Sequence, residues 1–154
     1  MKFTSINNVY FVGIGGIGMS ALARYFKSQG KVVSGYDKTS TELSIQLERE
    51  GISIHYDDLG ESVLQGLKKE STLVIYTPAI PKDHKELNAF LSNDFTVIKR
   101  AKALGIISSE FETFAVAGTH GKTTTSTILA HVLHNTEEKC NAFIGGISAN
   151  YHSN

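Results

Sequence analysis

The sequence predicts an α/β fold in which a parallel sheet is flanked by helices. Three observations predict it. Short apolar runs recur along the chain, segments with helical spacing lie between them, and two glycine-rich turns each join an apolar run to a helical segment. Parallel neighbours need a crossover connection, most often a helix, so this alternation builds a parallel sheet.

The strands are expected at Val9-Tyr10-Phe11-Val12, Val32-Val33, Leu73-Val74-Ile75-Tyr76, Phe95-Thr96-Val97-Ile98, Phe114-Ala115-Val116-Ala117 and Ala142-Phe143-Ile144. Such near-continuous apolar runs suit strands covered on both faces. Leu22, Tyr25 and Phe26 share a helical face before Gly30, and Leu43 and Leu47 share another before Gly51, with each glycine as a helix stop. Val63, Leu64 and Leu67 follow, then Leu87, Phe90 and Leu91, then a helix near 101–105. Ile128, Leu129, Val132 and Leu133 line one side of a last helix. Thr39, with Glu42 three residues later, reads as a capping box opening the second helix.

The 154 residues are 41% hydrophobic and 19% charged, enough to bury one sizeable core. Fifteen basic residues balance fifteen acidic ones, and no basic stripe points to nucleic acid or an anionic membrane, so any anion binding must be local. The single Cys140 excludes an intramolecular disulfide, fits a reducing cytoplasm, and is expected to pack as a small apolar side chain. No signal-peptide pattern or long apolar span occurs, so a cytoplasmic location without membrane insertion is expected. The polar patch Ile107-Ser108-Ser109-Glu110-Phe111-Glu112 marks a boundary between a domain over 1–108 and a second stretch over 109–154. That stretch has too few elements to close its own core. It is expected either to extend the first sheet or to open a domain of a longer protein.

The first turn, Gly13-Ile14-Gly15-Gly16-Ile17-Gly18-Met19-Ser20, has GxGxxG spacing between a strand and a helix. Gly13 permits the turn, Gly15 lets backbone approach a diphosphate, and Gly18 lets helix and strand pack closely. The diphosphate is expected on the amides at the helix N-terminus. Asp37, at the end of the second strand, is spaced to accept from a ribose hydroxyl or a uracil N–H; a solvated loop acid or helix cap is the plainer alternative. NAD, NADP, FAD and UDP-sugars all present a diphosphate to such a turn.

The second turn, Gly118-Thr119-His120-Gly121-Lys122-Thr123-Thr124-Thr125, is a shortened GxxGKT form of the P-loop, since a full GxxxxGK spacing would start at Val116. Backbone amides over 118–122 are expected around the ATP phosphates, with Lys122 on the β and γ groups and the Thr123 hydroxyl on Mg²⁺. His120 faces phosphate or solvent.

These two turns, together with Ser34-Gly35-Tyr36-Asp37, Tyr76-Thr77-Pro78-Ala79-Ile80 and Lys99-Arg100-Ala101 in this order, give a sequence that resembles the Mur ligase family of bacterial peptidoglycan synthesis. His120 in the second turn and the spelling of the first look like the alanine-adding branch. The resemblance implies a Rossmann-like domain for the UDP end of UDP-N-acetylmuramate, followed by the first elements of a P-loop ATPase domain. It further implies an ATP-dependent ligase that joins L-alanine to the lactyl carboxylate through an acyl phosphate. The carried-over UDP-substrate residues are Gly13, Gly15, Gly16, Ile17, Gly18, Met19, Ser20, Asp37, Thr77, Ala79, Ile80 and Arg100. Those for ATP are Gly118, Thr119, His120, Gly121, Lys122, Thr123 and Thr124, with Lys122 and Thr123 catalytic and Thr123 on Mg²⁺. The chain without the remaining domains is expected to bind but not to catalyse. Pro78 and Pro81 serve equally as strand stops, and His84 and Lys85 read as ordinary solvated residues. An NAD(P)-dependent oxidoreductase explains the first turn without Lys122 and Thr123; a non-catalytic nucleotide-binding module is the other alternative.

Overall fold

The computed structural model describes residues 3–136, 140–149 and 151. Five strands, β1 (Asn8–Val12), β2 (Val32–Tyr36), β3 (Ser53–His55), β4 (Thr72–Tyr76) and β5 (Thr96–Lys99), form one sheet in the order β3-β2-β1-β4-β5. Every pairing is parallel, with Val12 opposite both Tyr36 and Tyr76 at the carboxyl end of β1. The helices are α1 (Ile17–Ser28), α2 (Glu42–Arg49), α3 (Lys85–Ser92), α4 (Arg100–Ser108) and α5 (Lys122–His134). The order reverses at β1: the chain first adds strands on one side of it and then crosses to the other. A crevice opens at such a point because the connections leave in opposite directions.

Side-chain alternation along β1 builds two cores. Val9 and Phe11 meet Leu22, Phe26, Leu73, Ile75, Ala103 and Ile107 on the face covered by α1 and α4. Tyr10 and Val12 meet Val74, Leu87 and Phe90 on the face covered by α3. Both faces are therefore dry, as the near-continuous apolar runs require.

Four sequence expectations differ from the structure. Residues 112–118 and 141–144 form no strand: no neighbouring strand accepts them among the described residues, and an extended segment without a ladder is not a sheet. Among the described residues, the stretch after 108 therefore does not extend the sheet. Residues 53–55 do form β3, which its Ser-Ile-His composition hid. Val63, Leu64 and Leu67 lie not on an α-helix but on and after a 3₁₀ turn, Gly60–Leu64. The capping box of α2 is Thr41 with Ser44: the Thr41 hydroxyl accepts from the Ser44 N–H at 3.3 Å, and Ser44 Oγ accepts from the Thr41 N–H at 2.9 Å. Thr39 stays in the loop because its N–H donates to Asp37 Oδ1, and Glu42 becomes the first helical residue.

Candidate functional site

β1 delivers its chain directly into the crevice. Gly13 has φ +89°, and the N–H groups of Gly13 and Ile14 both donate to the Tyr36 carbonyl, at 2.8 and 3.0 Å. The chain then turns through Gly16, the N-cap of α1, which has extended backbone and supplies no side-chain cap. The Met19 and Ser20 N–H groups both donate to the Gly16 carbonyl, and with no side-chain cap the positive end of α1 faces the crevice.

Around that end lies an open cavity of about 960 Å³. Gly13, Gly15, Gly16, Ile17, Gly18, Met19, Asp37, Thr77, Ala79, Ile80 and Arg100, all singled out in the sequence, line it. Ser20 is not among the lining residues: it is fully buried, and its hydroxyl donates to the Ile17 carbonyl at 2.9 Å. Helical geometry turns it inward while Ile17 and Gly18 face the cavity.

Two glycines answer to neighbours that the motif does not specify. A Cβ at Gly18 would stand 2.8 Å from Arg100 Nη1, so Gly18 makes room for a guanidinium rather than for a strand. A Cβ at Gly15 would stand 3.0 Å from Asp37 Oδ2, the atom that accepts from the Gly15 N–H at 2.7 Å. Asp37 therefore pins the glycine turn as well as lining the cavity. Arg100, the first residue of α4, takes part in neither of the Arg or Lys ion pairs among the described residues, Arg24–Glu50 and Lys69–Asp94. A half-buried guanidinium beside a helix N-terminus has the charge and the donors to hold an anion such as a diphosphate.

The opposite wall was not legible in the sequence. Tyr36, Asp58, Asp83, His84 and Lys85 also line the cavity. His84 is buried, not solvated: its ring packs edge-on against Tyr36 at 4.5 Å, and Nδ1 accepts from the Leu87 N–H at the start of α3. Asp58 accepts from the N–H groups of Lys85, Glu86 and Gly60 at 2.9, 3.0 and 3.2 Å. Burial raises the Asp58 carboxyl, but these amides and the nearby His84 outweigh it and hold the pKa below its ordinary value. The one sequence signal for this wall was the polar run Lys82-Asp83-His84-Lys85 just ahead of an apolar helical pattern.

The second glycine turn has its helix but not its strand. Gly121, at φ +75°, is the N-cap of α5 and offers no side chain to it. Lys122 Nζ folds back to donate to the carbonyls of Gly118 and Thr119, at 2.6 and 3.2 Å. Thr123 and Thr124 are exposed in the first turn, and His120 is exposed with Nδ1 3.2 Å from Thr119 Oγ1. Uncapped amides, a lysine held only by carbonyls and two free-standing hydroxyls fit a polyphosphate and its cation. The turns are not remote, because Gly145 lines the first cavity and a Cβ there would stand 3.5 Å from Thr123 Oγ1.

Among the described residues no helix is long and apolar enough to cross a membrane. Residues 8–112 match the family described as Mur ligase family, catalytic domain. The chain is 53% identical, over its full length, to UDP-N-acetylmuramate–L-alanine ligase of Cytophaga hutchinsonii, covering 33% of that relative. The figures for the same enzyme of Flavobacterium psychrophilum are 56% and 34%. The crystal structure of UDP-N-acetylmuramate-alanine ligase MurC from Thermotoga maritima superposes with a TM-score of 0.82 at 34% identity, over 96% of this chain and 34% of that one. A ligase of Neisseria meningitides, acting on UDP-N-acetylmuramate with a tripeptide, gives 0.73 at 29%, over 84% and 40%. The chain thus spans about a third of the length of the curated relatives it matches. Its parallel sheet, its two glycine turns and the match over residues 8–112 together show that the chain belongs to the Mur ligase family.

Proposed function

We propose that this chain is the UDP-substrate-binding part, with the opening of the ATP-binding part, of a ligase that joins L-alanine to UDP-N-acetylmuramate. The observation that carries the reading is the pairing of the uncapped α1 N-terminus with the Arg100 guanidinium at the point where the strand order reverses. The names of the relatives supply the substrate.

In this reading residues 1–108 hold the UDP end, with the diphosphate on Gly16 to Gly18 and Arg100, and the nucleoside between Asp37 and the Thr77-to-Ile80 loop. Residues 109–154 begin the ATP-binding domain, where Gly118 to Thr124 hold the phosphates. Mg²⁺, held by Thr123, would neutralise charge developing on the transferring phosphoryl group. A lactyl carboxylate oxygen attacks the γ-phosphorus and ADP leaves; the alanine amine then attacks the acyl carbon, loses a proton, and phosphate departs. Lys122 would release the Gly118 and Thr119 carbonyls to meet the β and γ groups. The nearness of Gly145 to Thr123 supports a short path between the two ligands.

Isothermal titration of the chain with UDP-N-acetylmuramate, and separately with NAD, tests the reading. Saturable binding of the UDP-substrate without NAD binding is expected, and no alanine-dependent phosphate release. NAD binding without UDP-substrate binding would overturn it. The full-length protein assayed with L-alanine, L-serine and glycine identifies the acceptor.

A further inference from the structure

Behind the acidic wall of the cavity lies a polar network that the proposed reaction does not use. Glu86 has no exposed surface. Its Oε2 lies 2.7 Å from the Tyr10 hydroxyl, and its Oε1 accepts from the Leu59 N–H at 2.9 Å. The same Tyr10 hydroxyl lies 2.6 Å from His55 Nε2, and His55 Nδ1 lies 2.9 Å from the Asp57 carbonyl.

The donors can be assigned by elimination. A carbonyl oxygen only accepts, so Nδ1 of His55 carries hydrogen. The Tyr10 hydroxyl has one proton for two close neighbours. Two arrangements satisfy every contact. In one, an imidazolium Nε2–H donates to the Tyr10 oxygen and the Tyr10 O–H donates to a Glu86 carboxylate. In the other, a Glu86 carboxylic acid donates to the Tyr10 oxygen and the Tyr10 O–H donates to Nε2 of a neutral imidazole. Both hold the same number of protons and differ only in where one of them sits. Removing that proton sets a carboxylate and an imidazole lone pair against one hydroxyl, so one contact becomes lone pair against lone pair. Adding another leaves the Tyr10 O–H without an acceptor and a net charge in the interior.

The network is tied to the cavity wall. Leu59, held by Glu86, follows Asp58, which binds the amides of Lys85 and Glu86. Asp58, His84 and Lys85 line the cavity. The titratable groups around His55 and Glu86 are Tyr10 on β1, Tyr36 on β2, Asp57 and Asp58 in the following loop, and His84 and exposed Lys85 at the start of α3. The 3₁₀ turn contributes only exposed Glu61. The partial exposure of His55 gives the proton a route to solvent.

We propose that Tyr10, His55 and Glu86 share one proton and act as positioning residues for the acidic wall of the cavity, so that affinity for the UDP-substrate falls when rising pH removes that proton. The affinity clause rests on the reading under Proposed function; the shared proton does not.

The test combines ¹⁵N NMR of the His55 imidazole with titration calorimetry of UDP-N-acetylmuramate, both followed from about pH 5 to about pH 10. In the wild type the Nδ1–H is expected at every pH, and the Nε2 resonance is expected to shift as the network loses its proton. Affinity should drop on the order of tenfold as it is lost, the equivalent of one hydrogen bond to a charged group. In Glu86→Gln the amide can donate to the Tyr10 oxygen, accept from Leu59 and leave the Tyr10 O–H for neutral His55. This variant is expected to fold, to show unprotonated Nε2, and to bind without that pH-dependent drop. Tyr10→Phe removes the relay atom and is expected to bind weakly across the range. A His55 ring without Nδ1–H, an Nε2 resonance that stays unmoved across the range, or a Glu86→Gln variant that keeps the wild-type drop, would overturn the proposal. Absence of UDP-substrate binding in the wild type at every pH would overturn the functional reading and the affinity clause together, while the imidazole spectrum alone decides whether the proton is shared.

Discussion

Gly35 and Gly18 lack side chains because of very different neighbours. A Cβ at Gly35 would stand 2.5 Å from the Phe11 carbonyl oxygen, and both residues belong to paired strands that cannot separate locally. Gly35→Ala is therefore expected to cost ~1–3 kcal/mol, as overpacking does, read as a lower urea midpoint with unchanged slope. At Gly18 the clash is with the end of a flexible arginine. Gly18→Ala is expected to leave stability within about 1 kcal/mol, helped by the helix preference for alanine, while the displaced Arg100 weakens UDP-substrate binding. Arg100→Ala should lose roughly tenfold in affinity or more, as expected for a charge-assisted contact. Wild-type dissociation constants for both variants in calorimetry would remove Arg100 from the site.

At the scale of elements, α3 depends on a residue 27 positions before its start, since Asp58 binds the first amides of the helix. Its pKa lies below the ordinary 3.8, so the stability it contributes is complete above that value and is lost as pH falls through the folded one. The melting temperature of the wild type is expected to fall more steeply below about pH 4 than that of Asp58→Asn, whose side chain does not titrate there. Equal acid slopes would show that the cap carries no charge-dependent stability. Helix α2 shows the local counterpart, a box of Thr41 and Ser44 closed entirely within its own first turn.

Burial is uneven across the whole molecule. The five-stranded sheet has both faces covered, whereas α5 leaves Ile128 and Val132 at 59% and 55% exposure and buries Ala130. Phe143 reaches back to Tyr25 of α1, with ring centroids 5.7 Å apart. Few buried contacts mean a low local opening free energy. Amides of α5 are expected to exchange with deuterium well before those of β1 and β4; equal protection would mean that the helix shares the stability of the sheet.

The parallel α/β class, α1, β1, β4 and the residues of both glycine turns were legible because they depend on short-range pattern: apolar runs, helical spacing and glycines at set intervals. β3 was not, since Ser53, Ile54 and His55 become a strand only through pairing with Ser34, Gly35 and Tyr36. Nor was the failure of 114–117 to become one, because an apolar run specifies a strand only where a neighbour accepts its hydrogen bonds. For the site, sequence alone determined the first glycine turn, Asp37 and Arg100 as candidates. Tertiary structure alone decided that Gly18 makes room for Arg100, that Asp37 binds the Gly15 amide, that Ser20 turns inward, and that Asp58 and His84 build the far wall. The first set follows from local backbone chemistry; the second depends on distances between segments that only the folded sheet brings together.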